Sequence, residues 1–198
     1  MRVGIVADAH GNAAAFERAL GELAGETEAL LVAGDAFSDH RFSNDIVRAV
    51  READALYVLG NHELSFLGPG GTRARESPRI SRTELAYVEA APTELRRTIG
   101  GMRLLMVHGS PFPPYGRYLD PESPEFERAG ELDADLVVLG HTHLPMARRV
   151  GSTLIVNPGS VGMSDQPARG EQVGYAVVDT DSGEVIFRSF DNPRRAAV

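Results

Sequence analysis

Five of the six histidines in this 198-residue chain fall just past the end of an apolar, strand-like run, most with an aspartate, an asparagine or another histidine within two residues. In chain order the pieces are Asp8-Ala9-His10, Asp35, Asn61-His62, His108 and His141-Thr142-His143. Imidazole nitrogen with carboxylate and amide oxygen is the donor set of a two-metal hydrolytic site, in which the ions activate a water and clamp the oxygens of an in-line displacement. Taken singly, a GD or GN after a strand is more often a turn than a ligand. Five such pieces in one chain reverse that balance. The absence of cysteine removes disulfides and thiolate ligands, so any metal here must be held by nitrogen and oxygen alone.

The elements that would position these residues are readable around them. RVGIVAD, ALLVAGD and ALYVLGN are short β-branched or leucine-rich runs that read as buried parallel strands. Ligands in open α/β sheets gather beyond the carboxyl ends of the strands, so the pieces can converge on one rim. In Asp8-x-His10 and His141-x-His143, extended backbone would turn both members toward one cavity and Ala9 and Thr142 away from it. Between the first two strands, Phe16, Leu20 and Leu23 recur at helical spacing, with Asn12 as N-cap and Gly25 near the stop. Ser43 caps a second helix whose buried stripe is Ile46, Val47 and Val50. The opening is therefore β-α-β-α-β.

From Thr93 onward the pattern changes to hairpins, around Gly100-Gly101, Gly151-Ser152 and Asp181 to Gly183, with the strand DLVVLGH among them. A mixed pair of sheets flanked by helices is the economical arrangement. Residues 65–82 and 111–125, rich in Pro, Gly and Arg, each follow a motif residue and read as loops at the rim, where specificity resides. The length suits one domain over residues 1–191, with a frayed tail at 192–198.

A net charge of -8 argues against sequence-independent nucleic-acid binding, which draws on neutralising phosphates. All twenty basic residues are arginine, spread evenly, which reads as compositional bias. No apolar run approaches the ~20 residues that span a bilayer, and a cleaved leader would remove Asp8 and His10, so a cytoplasmic location is expected.

Together the motifs resemble the calcineurin-like metallophosphoesterases, from Arg2 to about Val161, in the family's order and with Asn157 to Ser160 (NPGS) as a sixth marker. The HGSP form at His108 and the GHTHLP…VNPGSVG ending are similar to the compact bacterial and archaeal phosphodiesterase-like branch. The resemblance implies an αββα sandwich of two mixed sheets. It implies a dinuclear centre in which Asp35 bridges, Asp8, His10 and His143 complete one metal, and Asn61, His108 and His141 complete the other. A bridging hydroxide would attack phosphorus, and His62 would serve as general acid or charge stabiliser at the leaving oxygen. Two divalent ions less two carboxylates and a hydroxide leave roughly one positive charge, which suits a phosphate ester even in an acidic protein. Mixed nitrogen and oxygen donors favour Mn²⁺, Fe, Co²⁺, Ni²⁺ or Zn²⁺ over Ca²⁺, and the family suggests Mn²⁺.

The expected activity is that of a metal-dependent phosphoesterase, foremost a phosphodiesterase, acting on a small phosphoester or nucleotide-like substrate. A phosphomonoesterase is the alternative. A non-catalytic scaffold is less favoured, because scaffold relatives lose the GNH histidine and this chain keeps His62. Of the remaining residues, His40 reads as a solvent-facing loop residue and Asp39 as support for its loop. NPGS reads as structural, with Ser160 open to facing the cleft. Arg73, Arg75, Arg79 and Arg82 could contact phosphate, and Tyr115 and Tyr118 could stack on a ring; solvation and ordinary packing are the competing readings.

Overall fold

A computed structural model describes residues 1–164 and 171–195. Ten strands form two five-stranded sheets. In the first, β1 (Arg2–Val6), β2 (Ala29–Val32) and β3 (Leu56–Tyr57) run parallel, while β9 (Gln172–Asp179) and β10 (Val185–Asp191) add antiparallel on the β1 side. In the second, β5 (Met102–Val107), β6 (Leu136–Val138) and β8 (Thr153–Asn157) run parallel, with β4 (Glu94–Ile99) and β7 (Met146–Val150) antiparallel at the edges. The three expected hairpins are present, closing at Ile99↔Met102, Val150↔Thr153 and Val178↔Val185.

Burial explains the layering. Val3 and Ile5 of β1 face Leu104 and Met106 of β5, and Leu136 and Val138 of β6, in an apolar seam between the sheets. The outer face of the first sheet is covered by α1 (Ala13–Leu23) and α2 (Asn44–Glu52), through Phe16, Leu23, Ile46, Val47 and Val50. The outer face of the second sheet packs Val137 and Ile155 against Phe126 and Leu132 of a run of 3-10 turns, Pro124–Leu132. The sandwich is therefore α-β-β-α, as the motifs implied. Both helices start where expected: Asn12 Oδ1 accepts from Ala15 N at 3.3 Å, and Ser43 Oγ accepts from Ile46 N at 3.4 Å.

The stretch 65–82 is more ordered than its Pro, Gly and Arg content suggests. α3 (Asn61–Leu67) runs into a 3-10 turn, a short helix α4 (Thr72–Arg75) and then α5 (Arg82–Ala90). Arg75 donates to the Phe66 and Gly68 carbonyls, and Arg82 to the Arg75 carbonyl, so these guanidinium groups close the segment on itself. Within the stretch 192–198, expected to fray, two of the described residues make hydrogen bonds to the loop after β1. Asn192 accepts from Asn12 Nδ2 at 2.8 Å, and Arg194 donates to the Gly11 carbonyl at 2.7 Å. Residues 196–198 lie outside the described residues. No helix among the described residues is long and apolar enough to cross a membrane.

Candidate metal centre

The two sheets present the carboxyl ends of β1, β2, β3, β5 and β6 on the same rim, and each predicted site residue follows one of those ends. Asp8, His10 and His143 come together, as do Asp35, His108 and His141, and His10, Asp35 and His62. Asn61 joins through its Oδ1, 3.0 Å from His108 Nε2. Asp8, His10, Asp35, His108 and His141 are buried, His62 and His143 are partly open, and Asn61 is exposed at the mouth.

One part of the sequence reading needs correction. Asp8 and His10, like His141 and His143, do share a cavity, but not through extended backbone. Asp8, His10, Asp35, His141 and His143 have φ of 58°, 46°, 54°, 72° and 57°, in the left-handed region. That region costs an L-residue roughly 1–2 kcal/mol, a strain that clusters where side-chain aim matters more than backbone comfort. The intervening residues do turn away: Ala9 joins the core, and Thr142 Oγ1 accepts from Asn157 Nδ2 at 3.1 Å.

Each buried carboxylate divides its two oxygens. Asp8 Oδ2 accepts from His141 N, and Asp35 Oδ1 from His62 N, both at 3.0 Å, so each carboxylate braces another motif's loop. Their second oxygens face inward. Asp8 Oδ1 is buried and makes no hydrogen bond, yet Nε2 of His143, His10 and His108 lies 3.3, 3.7 and 3.9 Å away. Asp35 Oδ2 sits 3.1 Å from His108 Nε2 and 3.8 Å from His62 Nε2. His108 Nδ1 donates to the Ala33 carbonyl at 2.7 Å, which orients the ring and turns Nε2 inward. An unpartnered buried carboxylate oxygen ringed by imidazole nitrogens is a donor set for cations, and it fits divalent metal.

The sequence profile of the calcineurin-like phosphoesterase superfamily domain matches residues 1–183. The chain belongs to that superfamily. It is a metal-dependent phosphoester hydrolase. Among its relatives, the Escherichia coli phosphodiesterase YfcE is 28% identical over 94% of this chain and 91% of its own length. The Methanocaldococcus jannaschii protein MJ0912 is 23% identical over 89% of this chain and 82% of its own. A metallophosphoesterase structure from Sphaerobacter thermophilus superposes with a TM-score of 0.75 at 25% identity, covering 97% of this chain and 89% of that one.

Electrostatics in this metallophosphoesterase are set by burial and by neighbouring titratable side chains. Burial works to raise Asp8 and Asp35, but the surrounding imidazoles outweigh it and hold both carboxyls below the usual range. Burial likewise works to lower His108, and Asp35 and Asp8 overcome it, raising the ring to about 9. His141 goes the other way, to about 4, through burial and the charge of His108. His141 is thus neutral at neutral pH, whereas His108 would have to give up a proton before its Nε2 could hold a cation.

Several residues outside the predicted set hold the metallophosphoesterase motifs in place. Glu63, fully buried, accepts from Asp35 N at 2.9 Å, Ala36 N at 2.7 Å and Gly60 N at 2.8 Å, tying the Asp35 loop to the Asn61 loop. Its place three residues after the Gly60 N-cap is a readable sign, that of a capping-box glutamate. Asn157 Nδ2 donates to the Gly140 carbonyl at 2.6 Å, and Ser160 Oγ to the Asp8 carbonyl at 2.7 Å, so NPGS pins two of the motif loops from behind. Asp39 brackets His62 Nδ1, with its N–H at 2.9 Å and its Oδ1 at 2.8 Å. Glycine is required at position 60, where a Cβ would overlap the Asp35 carboxylate.

The cavity at the cluster, about 190 Å³, is lined by six of the motif residues, His10, Asp35, Asn61, His62, His141 and His143, together with Ser38, Tyr118 and Met163. Tyr118 stacks on His141 with ring centroids 3.7 Å apart. Arg73, Arg75, Arg79 and Arg82 are not part of its lining. His40 is exposed, as expected.

Proposed function

We propose that the protein is a phosphodiesterase with a dinuclear centre. One ion would be held by Asp8, His10, His143 and Asp35, the other by Asp35, Asn61, His108 and His141. The observation that carries this reading is the orphaned Asp8 Oδ1 within 4 Å of three imidazole nitrogens, with Asp35 Oδ2 presented alongside. Two ions, when bound, supply an activated water for in-line attack and neutralise charge on the phosphoryl oxygens. Mn²⁺ is the first candidate, with Fe, Co²⁺, Ni²⁺ and Zn²⁺ matching the same donors. The name of the relative YfcE supports the choice of a diester over a monoester.

In this reading the remaining chemistry falls to His62. Asp39 holds Nδ1, so the proton that His62 delivers to the departing alkoxide is the one on Nε2, which faces the cavity. Exchanging His62 for Ala should leave metal content unchanged and lower turnover of alkyl-leaving diesters by about 10²–10⁴-fold. Esters of p-nitrophenolate, which leaves without a proton, should be much less affected. An equal loss on both leaving groups, by steady-state kinetics, would remove His62 from the proton-donor role.

The reaction class is tested with chelator-stripped protein and bis-p-nitrophenyl phosphate or p-nitrophenyl phosphate, adding back Mn²⁺, Ni²⁺, Zn²⁺ or Mg²⁺ singly. Metal-restored turnover is expected, faster on the diester. A monoester preference would favour the phosphatase reading. No turnover in folded, metal-loaded protein would favour the scaffold.

A further inference from the structure

Among the described residues, five large apolar side chains remain exposed: Leu64, Tyr115, Tyr118, Met163 and Phe187. All five line cavities that reach a residue of the metal cluster. Scattered exposed apolar groups need no explanation, but a set confined to the rim of one site does. The largest of these cavities, about 480 Å³, opens beside Asn61 and His108 and is walled by Leu59, Leu64, Val107 and Tyr115. That volume lies within the range of small-molecule sites, roughly 300–1,000 Å³. Its charged lining residue outside the cluster is Glu94, whose carboxylate is paired with Arg96 Nε at 2.8 Å, and it includes no arginine. Nothing there would attract a second phosphate.

Tyr115 is 73% exposed and Leu64 48% exposed, so both offer uncovered apolar surface at this cavity. Tyr115 does not sit on a loose loop. Gly116 N donates to the Ser110 carbonyl at 3.0 Å, Ser110 N to the Arg117 carbonyl at 2.9 Å, and Arg117 pairs with Glu125 at 2.7 Å. Backbone held in this way reduces the ordering entropy lost when the Tyr115 side chain takes up a ring.

We propose that this cavity receives the retained ester group of the substrate, and that this group carries an uncharged planar ring, as an aryl ester or a nucleoside does. The inference rests on the phosphodiesterase reading and names its substrate class. The retained group, rather than the leaving group, is assigned because the cavity shares Asn61 and His108 with the cluster and does not include His62. Tyr115 and Leu64 are then specificity residues.

Phenyl p-nitrophenyl phosphate and methyl p-nitrophenyl phosphate share a leaving group and differ in the retained one. The phenyl ester should be favoured in kcat/KM by about tenfold or more, carried mainly in KM. The doubly substituted protein, Tyr115→Ala with Leu64→Ser, should bring the ratio to within about threefold. Calorimetry on metal-loaded protein should show phenylphosphonate binding tighter than methylphosphonate by a similar factor, again lost in the double variant. Equal binding of the two phosphonates, or a phenyl preference that the double variant leaves intact, would overturn the assignment. Absence of turnover on both esters with the binding preference retained would count against the diesterase reading and for the pocket.

Discussion

Exchanging Asp35 for Asn is expected to lower kcat/KM on bis-p-nitrophenyl phosphate by about a thousandfold, each tenfold being about 1.4 kcal/mol of transition-state stabilisation, and to deplete both metals together. Asparagine has the same shape, and its carbonyl oxygen can keep the acceptor role toward His62 N, so the turn and the fold should survive. What changes is the inward atom. Asp35 Oδ2 is 3.1 Å from His108 Nε2, and an amide NH₂ placed there offers no lone pair to a cation. It also removes one of the two cluster carboxylates, Asp8 and Asp35, whose negative charge would offset bound cations. Asp8→Asn supplies the contrast: Asp8 lies with His10 and His143 on one side of the cluster, so that variant should lose one ion and keep part of the other. Metal stoichiometry by plasma emission separates the two. Full occupancy by both metals in the Asp35 variant would contradict a shared carboxylate.

The contrast between what the sequence displays and what it hides follows from how local each feature is. Strands β1, β2, β5 and β6, the caps at Asn12 and Ser43 and the three hairpins depend on neighbours within a few residues, and all are legible as pattern. The candidate donors are legible because five such pieces recur together at the ends of apolar runs, although any one of them alone would read as a turn. The backbone that aims them is not. Left-handed φ at Asp8, His10, Asp35, His141 and His143 is stabilised by bonds from elsewhere in the chain, such as His141 N to Asp8 Oδ2 and Ser160 Oγ to the Asp8 carbonyl, 133 and 152 residues apart. Extended backbone was the local default, and tertiary bonding overrode it. The same holds for 65–82, where glycine and proline signal a loop but carbonyl-binding by Arg75 closes short helices. It holds also for Arg194, which reaches back 183 residues to Gly11.

Glu63→Ala should produce the largest loss of stability, about 3 kcal/mol from orphaned N–H groups at roughly 1–3 kcal/mol each, read as a fall in Tm of about 6–12 °C in metal-free protein. Three backbone donors, Asp35 N, Ala36 N and Gly60 N, converge on this one carboxylate within the core, and truncation leaves none of them an acceptor. An opposing contribution limits the effect. Burial first, and then the charge of Asp35, push Glu63 up to about 7 against the pull of those donors, so removing the carboxylate also recovers a burial cost. Measuring without metal separates this loss from any change in ion binding, which should itself weaken by about 10–100-fold as the Asp35 and Asn61 loops lose their common anchor. Glu63→Gln is the discriminating companion. Its carbonyl oxygen can keep the two donors now on Oε2, Asp35 N and Gly60 N, while its NH₂ would confront Ala36 N. Gln should therefore fall between wild type and Ala. A metal-free Ala variant melting within about 2 °C of wild type, below the shift expected for 1 kcal/mol, would show that water or backbone rearrangement satisfies those donors and that Glu63 does not position the site.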